Sequence, residues 1–330
     1  MASSHPTGPY VNCTEVDPTD PSGQQLFSVS STDLGASWTV PRNLSFAGGG
    51  AWCAKSGGGG GHGVQLRNGR LVVPGYHAGC SCRAAPHGVT GPSCLKSHVL
   101  IADPQVDTTA TATAPTAPAT TTAAAKGPTL PAWRLSDEFF PGSAEGSVAE
   151  LPAAMSNAQH GEPHSNQSSL TSLGELDEVP SRLIFVARLE RLQTHCTPSA
   201  KHCAGIMYSK DGGDTWGGEQ DDGQLVDPMC KNTVARVGQM LVHSGAANST
   251  IGQRVSITCL FSRDGTGEEW SDPTVVLPRY DANGAAQNGG YSTVHALSAT
   301  EVGVVLEVQR LKRSSRPLNI FFAKIAVPAT

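Results

Sequence analysis

Two stretches of the chain have residue types and spacing that could support chemistry. His195-Cys196 and His202-Cys203 carry four groups of the kind that bind zinc. The same spacing fits a disulfide near a β-hairpin or an ordinary hairpin rim, which we favour because the surrounding chain is rich in β-forming residues. Gly57 to Gly61 lacks the lysine and the helix that follow the glycines of a phosphate-binding loop. The sequence therefore predicts no metal site and no cofactor.

The elements that must position any site are short β-strands. Apolar runs such as Leu183 to Ala187 and Val255 to Leu260 have strand composition, and Asn68-Gly69 between two such runs indicates a hairpin turn. No long segment shows a convincing 3.6-residue periodicity with helix caps. We therefore expect an all-β protein, with further strands at Val302 to Val308 and Ile320 to Ile325.

One turn motif recurs along the chain. Ser31 to Trp38 and Ser209 to Trp216 both read S-x-D-x-G-x-S/T-W, and a looser copy runs from Ser262 to Trp270. In such a turn the aspartate accepts amide hydrogen bonds, the glycine permits a positive φ, and the tryptophan packs the hairpin onto a sheet. Separated copies imply repeated sheets, which the blades of a β-propeller accommodate. A two-sheet sandwich is the alternative, but it does not require the turn to recur.

A low-complexity stretch interrupts one of these units. Residues 107 to 126 are nearly all threonine, alanine and proline, a composition that is unlikely to pack into a core. The stretch lies between a strand that ends at Asp103 and Trp133, in the order of an interrupted copy of the turn. We therefore interpret residues 104–132 as an insertion in a hairpin loop, within one domain that covers residues 1–330.

Bulk composition restricts the partners and the cellular location. Charged residues are 15% of the chain and the net charge is −5, so bulk charge attracts neither nucleic acid nor anionic membrane. No apolar run approaches the roughly 20 residues of a transmembrane helix. Nine cysteines and four N-x-S/T sequons favour the secretory pathway, with the true N-terminus absent. No signal peptide is visible, which leaves a cytoplasmic location as the alternative.

The ordered motifs resemble the sialidase (neuraminidase) superfamily. The turns at Asp33 and Asp211 are similar to its Asp-box, and the likeness covers about residues 25 to 328 and is greatest to animal lysosomal sialidases. It implies a six-bladed β-propeller and exo-α-sialidase activity on terminal sialic acids, or related 2-keto sugar acids, of glycoproteins, gangliosides and oligosaccharides in the lysosome. The other matching segments are Gly61 to Val73, Val186 to Arg188, Leu225 to Pro228, Gly290 to Ser292, Val305 to Glu307 and Ala323 to Ile325.

The resemblance also implies a set of site residues. Arg188 and Arg254 match two of the three arginines that hold the substrate carboxylate, for which planar guanidinium forks are suited. Tyr291 matches the nucleophile, and Glu307 matches the carboxylate that orients the first arginine. Taken alone, these residues also fit plainer roles: a rim arginine, a turn tyrosine and an outward-facing strand glutamate.

Three departures from the family pattern bear on activity. Gln167 stands where the resemblance places the glutamate that activates the tyrosine, and an amide cannot accept the phenolic proton. Glu162 is close in sequence and could substitute if the loop shifts. The chain has no R-I-P motif for the first arginine. Asp17 and Asp20 do not lie in surroundings that match the acid/base aspartate. We therefore expect most of the first blade to be missing, with an inactive sugar-binding or protein-interaction propeller as the alternative function.

Overall fold

A computed structural model provides the three-dimensional structure of the chain. It describes residues 27–44, 57–58, 62–78, 95–104, 132–137, 139–152, 181–189, 203–248, 253–280, 282, 287–310 and 319–328. The regular elements in these ranges are all β-strands, and the strand pairings are antiparallel. Among the described residues there is no apolar helix of membrane-spanning length.

The N-terminal part of the described chain contains a small sheet and a larger one. The small sheet pairs β1 (Phe27–Ser28) with β2 (Arg42–Asn43). In the larger sheet the order is β3-β5-β6-β7, while β4 also pairs with β5 and β8 with β6. Its strands are β3 (Gly57–Gly58), β4 (Val64–Gln65), β5 (Leu71–Ala78), β6 (Leu95–Ala102), β7 (Trp133–Leu135) and β8 (Phe139–Pro141).

Three further sheets follow, each a meander of consecutive strands. The second sheet contains β9 (Ser143–Glu150), β10 (Leu183–Leu189), β11 (Cys203–Ser209) and β12 (Gly217–Val226). The third contains β13 (Thr233–Val237), β14 (Met240–Ala246), β15 (Ile257–Ser262) and β16 (Thr274–Leu277). The fourth contains β17 (Gln287–Ala296), β18 (Glu301–Arg310) and β19 (Asn319–Ala326).

Consecutive sheets pack face to face, and strands β5, β9, β13 and β17 make contacts between them. Strand β9 contacts both β5 and β13, and β13 contacts β17. One apolar cluster lies between the first and second sheets, another between the second and third, and another between the third and fourth. This arrangement is that of neighbouring propeller blades, and it confirms the all-β expectation with four blades in the described residues. The six-blade count and the missing blade stay predictions.

Strand β10 shows how the sequence produces this packing. Phe185 contributes to the cluster on one face of the second sheet, while Ile184 and Val186 contribute to the cluster on the other face. Successive side chains of a strand point to opposite faces, so a blade buried on both sides requires a continuous apolar run. The run from Leu183 to Ala187 meets this requirement, and each of its residues is fully buried.

The recurrent turns share one hydrogen-bond pattern. The aspartate accepts a hydrogen bond from the serine hydroxyl two residues earlier at 2.5–2.8 Å, and another from a later backbone N–H at 2.8–3.1 Å. The tryptophan indole N–H donates to a glycine carbonyl at 3.0–3.1 Å. Those glycines have positive φ values, which side-chain-bearing residues rarely adopt: Gly35 (89°), Gly213 (98°) and Gly267 (81°).

The predicted insertion lies almost entirely outside the described residues. Ala102 at the end of β6 pairs with Trp133 at the start of β7, so the chain leaves and re-enters the sheet at adjacent positions. The interpretation of residues 104–132 as a hairpin-loop insertion in a single domain stays a prediction.

Candidate functional site

The centre of the candidate site is a hydrogen bond between Tyr291 and Glu145. The Tyr291 hydroxyl donates to Glu145 Oε1 at 2.6 Å, which joins residues of the fourth and second sheets. Tyr291 lies where the β17–β18 register shifts between Gly289 and Ser292. Glu145 lies near the start of β9 and is 9% exposed. A buried carboxylate is therefore held directly against a phenolic hydroxyl.

Arg188 engages the second oxygen of the same carboxylate. Its Nη1 lies 2.8 Å from Glu145 Oε2. Arg188 falls in the irregular part of the β9–β10 pairing, between Ala187, which pairs with Gly146, and Leu189, which pairs with Ser143. Since the two strands are hydrogen-bonded neighbours, this register places Arg188 beside Glu145. The arginine therefore orients the carboxylate while its other oxygen faces the phenol.

Arg254 lies against the ring of Tyr291 from the third sheet. Its guanidinium carbon is 5.3 Å from the ring centroid, within the range of a cation–π contact. Its Nη2 donates to the carbonyl of Met229 at 3.3 Å. The carbonyl of Arg254 also accepts a hydrogen bond from the amide of Gly289. These two bonds fix Arg254 to the loop before β13 and to β17.

Glu307 contacts the backbone of Tyr291. Its Oε2 accepts a hydrogen bond from the Tyr291 amide at 3.2 Å. This contact requires a glycine at position 290, because a Cβ there would lie 2.3 Å from Glu307 Oε2. The structure thus brings together the four described residues that the resemblance singled out, Arg188, Arg254, Tyr291 and Glu307. Their catalytic roles stay predictions.

Electrostatics keep the phenol protonated near neutral pH. Burial raises the pKa of Tyr291 to about 12, and the hydrogen bond and negative charge of Glu145 act in the same direction. The positive charges of Arg188 and Arg254 act in the opposite direction. A phenol of this kind becomes a nucleophile only if a base accepts its proton as it reacts.

Two further titratable residues lie near this pair. Lys231 Nζ is 5.9 Å from the Tyr291 ring centroid, and burial lowers its pKa against the opposing charges of Glu145 and Glu307. His62 lies 3.3 Å from the Thr293 hydroxyl, and its pKa is lowered by burial and by the charges of His295 and Lys231. Sequence analysis singled out neither residue as functional.

The carboxylate partner of Tyr291 is a residue that the sequence motifs did not indicate. Gln167 and Glu162 lie outside the described residues, so the role assigned to Gln167 stays a prediction. Glu145, which the sequence analysis did not single out, accepts the hydroxyl hydrogen of Tyr291. The family pattern predicts a base shortly before Arg188 in the sequence, whereas residues 153–180 lie between β9 and β10. The available signal was the run Ser143–Glu150, which forms the strand that precedes β10 along the chain.

The predictions that the protein has no metal site and no cofactor come from the sequence and stay predictions. In the described ranges, no group of three or more histidine, cysteine, aspartate or glutamate residues is placed to hold a metal ion. His195, Cys196 and His202 lie outside those ranges, as do Asp17 and Asp20. Cys203 is disulfide-bonded.

Solved structures with a similar fold include sialidases. No protein-family model matches the chain, and no curated protein sequence matches it. The Hadza microbial sialidase Hz136 is similar with a TM-score of 0.51 and 17% identity, over 87% of this chain and 44% of that one. The NanB sialidase from Streptococcus pneumoniae is similar with a TM-score of 0.54 and 14% identity, over 87% of this chain and 33% of that one. A protein of unknown function from Dyadobacter fermentans is similar with a TM-score of 0.51 and 14% identity, over 92% and 64%.

These similarities define the architecture. The chain spans between 33% and 64% of the length of these solved structures. Identities of 14–17% show a common fold, and the four sheets with shared inner contacts agree with it. The chain therefore folds as an all-β β-propeller of the kind found in sialidases.

Proposed function

We propose that this chain is a sialidase-like glycoside hydrolase that removes terminal sialic acids, or related 2-keto sugar acids, from glycoproteins, gangliosides and oligosaccharides. The observation that carries the proposal is the hydrogen bond between Tyr291 and the buried Glu145. Sialidases are the retaining glycosidases that use tyrosine in place of a carboxylate nucleophile. The fold similarity to sialidases supports the same assignment.

In the proposed reaction Tyr291 Oη attacks the anomeric carbon of the sugar acid. Glu145 Oε1 accepts the phenolic proton as the new bond forms, which an oxygen 2.6 Å away is placed to do. The bond to the leaving oxygen breaks, and an acid supplies that oxygen with a proton. Water then hydrolyses the glycosyl-tyrosine. A neutral phenol suits this substrate because it does not repel the carboxylate attached to the anomeric carbon.

The positive charges around Tyr291 are suited to binding the carboxylate of the substrate. Arg188 and Arg254 approach the tyrosine from the second and third sheets. Guanidinium groups bind carboxylates with two parallel hydrogen bonds, which fixes the ligand in both distance and orientation. We therefore assign these arginines to the carboxylate of the sugar acid, and Glu307 to holding the backbone of Tyr291.

The test is hydrolysis of a fluorogenic sialoside by the wild-type chain and by Tyr291→Phe. We expect turnover by the wild type and none by the variant, because phenylalanine has no nucleophilic oxygen. Tyr280→Phe is the matched control, since Tyr280 is 52% exposed and its ring lies against Arg279. Equal turnover by Tyr291→Phe and wild type would contradict the mechanism. A folded wild type without turnover between pH 4 and 8 would contradict the activity.

A second candidate function is a sugar-acid-binding module without turnover. The sequence favours it, because no residue matches the first arginine or the acid/base aspartate of the sialidase pattern. This function predicts that free sialic acid binds and that Arg188→Ala weakens the binding. Isothermal titration calorimetry, performed beside the fluorogenic assay, separates the two functions.

We also propose a lysosomal or secretory location, in keeping with the motif resemblance to animal lysosomal sialidases. The disulfide at Cys203 supports it, because disulfides persist in oxidising compartments. Alkylation of the protein from its native cells tests the location. Cys203 should react only after reduction, whereas labelling without reduction would indicate a reducing compartment.

A further inference from the structure

Lys231 occupies a position that the fold holds firmly. It lies in the loop between β12 and β13, and both neighbours are fixed by the buried Asp227. The Cys230 amide donates to Asp227 Oδ1 at 2.6 Å, and Asn232 Nδ2 lies 3.4 Å from Asp227 Oδ2. The thiol of Cys230 also contacts the carbonyl of Gly290 at 3.4 Å. The backbone of Lys231 is thereby tied to the strand that carries the tyrosine.

The charges around Tyr291 are unbalanced in a way that points to an anionic ligand. Arg188 forms an ion pair with Glu145. Arg254 and Lys231 have no carboxylate oxygen within 4.0 Å among the described residues. Glu307 is the other nearby carboxylate, and its hydrogen bond goes to the Tyr291 amide. Partly buried cations without a counter-ion are costly unless a ligand supplies the negative charge.

Lys231 places its ammonium group beside the ring of Tyr291. Its ammonium nitrogen lies 5.9 Å from the ring centroid, close to the distance of the Arg254 guanidinium on the same ring. It also lies close enough to Glu145, Glu307 and His62 to interact with each of them. Lys231 therefore belongs to the same polar cluster as the proposed nucleophile.

From this geometry we infer that Lys231 binds the carboxylate of the sugar acid together with Arg254, and so selects acidic over neutral sugars. The inference rests on the proposed function and names one further residue that determines specificity. An ammonium group acts as a point charge, so Lys231 adds attraction while the arginines supply direction.

The test compares the binding of N-acetylneuraminic acid and of its methyl ester, by calorimetry, to wild type and to Lys231→Met. Methionine keeps a long unbranched side chain but removes the charge. The variant should lose about tenfold or more in affinity for the acid, as expected for a hydrogen bond to a charged group, and should bind the ester as wild type does. Lys231→Arg should restore most of the affinity for the acid. Lys324→Met is the control, since Lys324 is exposed and pairs with Glu301.

Each outcome has a distinct meaning. Equal affinity of wild type and Lys231→Met for the acid overturns this inference and leaves the proposed function intact. An equal loss for acid and ester indicates a structural role and also overturns it. A folded wild type that binds neither compound overturns the proposed function and, with it, the ligand assigned to Lys231.

Discussion

His243 makes the stability of the propeller depend on pH. It lies in β14 and is 2% exposed, with its ring 5.9 Å from that of Trp270. Neither ring nitrogen has a hydrogen-bond partner among the described residues. Burial alone lowers the pKa of this histidine to about 3, because the charged form is far from water.

The sign and size of the effect follow from the two pKa values. In the unfolded chain the pKa of this histidine is near 6.5. Above that pH the side chain is neutral in both the folded and the unfolded state, so its protonation does not lower the free energy of unfolding. As the pH falls below 6.5, His243 binds a proton in the unfolded chain, whereas in the folded chain it stays neutral until about pH 3. The free energy of unfolding is therefore not reduced by His243 above pH 6.5, and it declines as the pH falls from 6.5 towards 3. By linkage the loss from this residue at pH 5 is about 2 kcal/mol.

The assay is urea unfolding of the wild type and His243→Leu at pH 7.5 and pH 5.0. Between the two values the wild type should lose about 2 kcal/mol more than the variant, which has no proton to gain. Comparing each protein with itself at two pH values cancels the packing change caused by leucine. His295→Gln, at an exposed position, should keep the wild-type difference. An equal pH dependence in His243→Leu and wild type would refute the reasoning.

Four other substitutions test the site and the turns. Gly290→Ala should displace the Glu307 carboxylate, because the new methyl group would lie 2.3 Å from Glu307 Oε2. Turnover of a fluorogenic sialoside should therefore fall, while the circular dichroism spectrum should stay unchanged. Glu145→Gln should lower kcat by roughly 10²–10⁴ with little change in KM, because the amide cannot accept a proton; an unchanged kcat would exclude Glu145 as the base. Asp211→Ala should cost about 1–2 kcal/mol in urea unfolding, and Asp33→Ala should cost less, because the turn at Asp33 is exposed; the reverse order would count against the turn model.

The fold was predictable because its signals are local. A strand that is buried on both faces requires a continuous apolar run such as Leu183 to Ala187. In the structure this strand runs from Leu183 to Leu189, two residues further than the run. The turn at Asp211 was equally predictable from the sequence, because its serine, aspartate, glycine and tryptophan each make a specific hydrogen bond within eight residues. Repetition of such turns then favoured repeated sheets.

The site was less predictable because its contacts are long-range. Glu145 and Tyr291 are 146 positions apart, and nothing within either strand specifies the other. The order of motifs along the chain predicts Tyr291 and Arg188 as site residues, but it places the residue that activates the tyrosine at Gln167. Only the β9–β10 register places Glu145 beside Arg188, and the long segment between those strands obscures that register in the sequence.

The division of the candidate site among sheets has a consequence for how the proposed activity could be lost. The second sheet supplies Glu145 and Arg188, the third supplies Arg254, and the fourth supplies Tyr291. Under the proposed function, no single blade therefore holds a complete site, and a bound ligand would connect three blades. Partial opening between two neighbouring blades would disable binding while most strands stay folded. Such a protein should lose function in denaturant before it loses its β-structure, and ligand should delay both events.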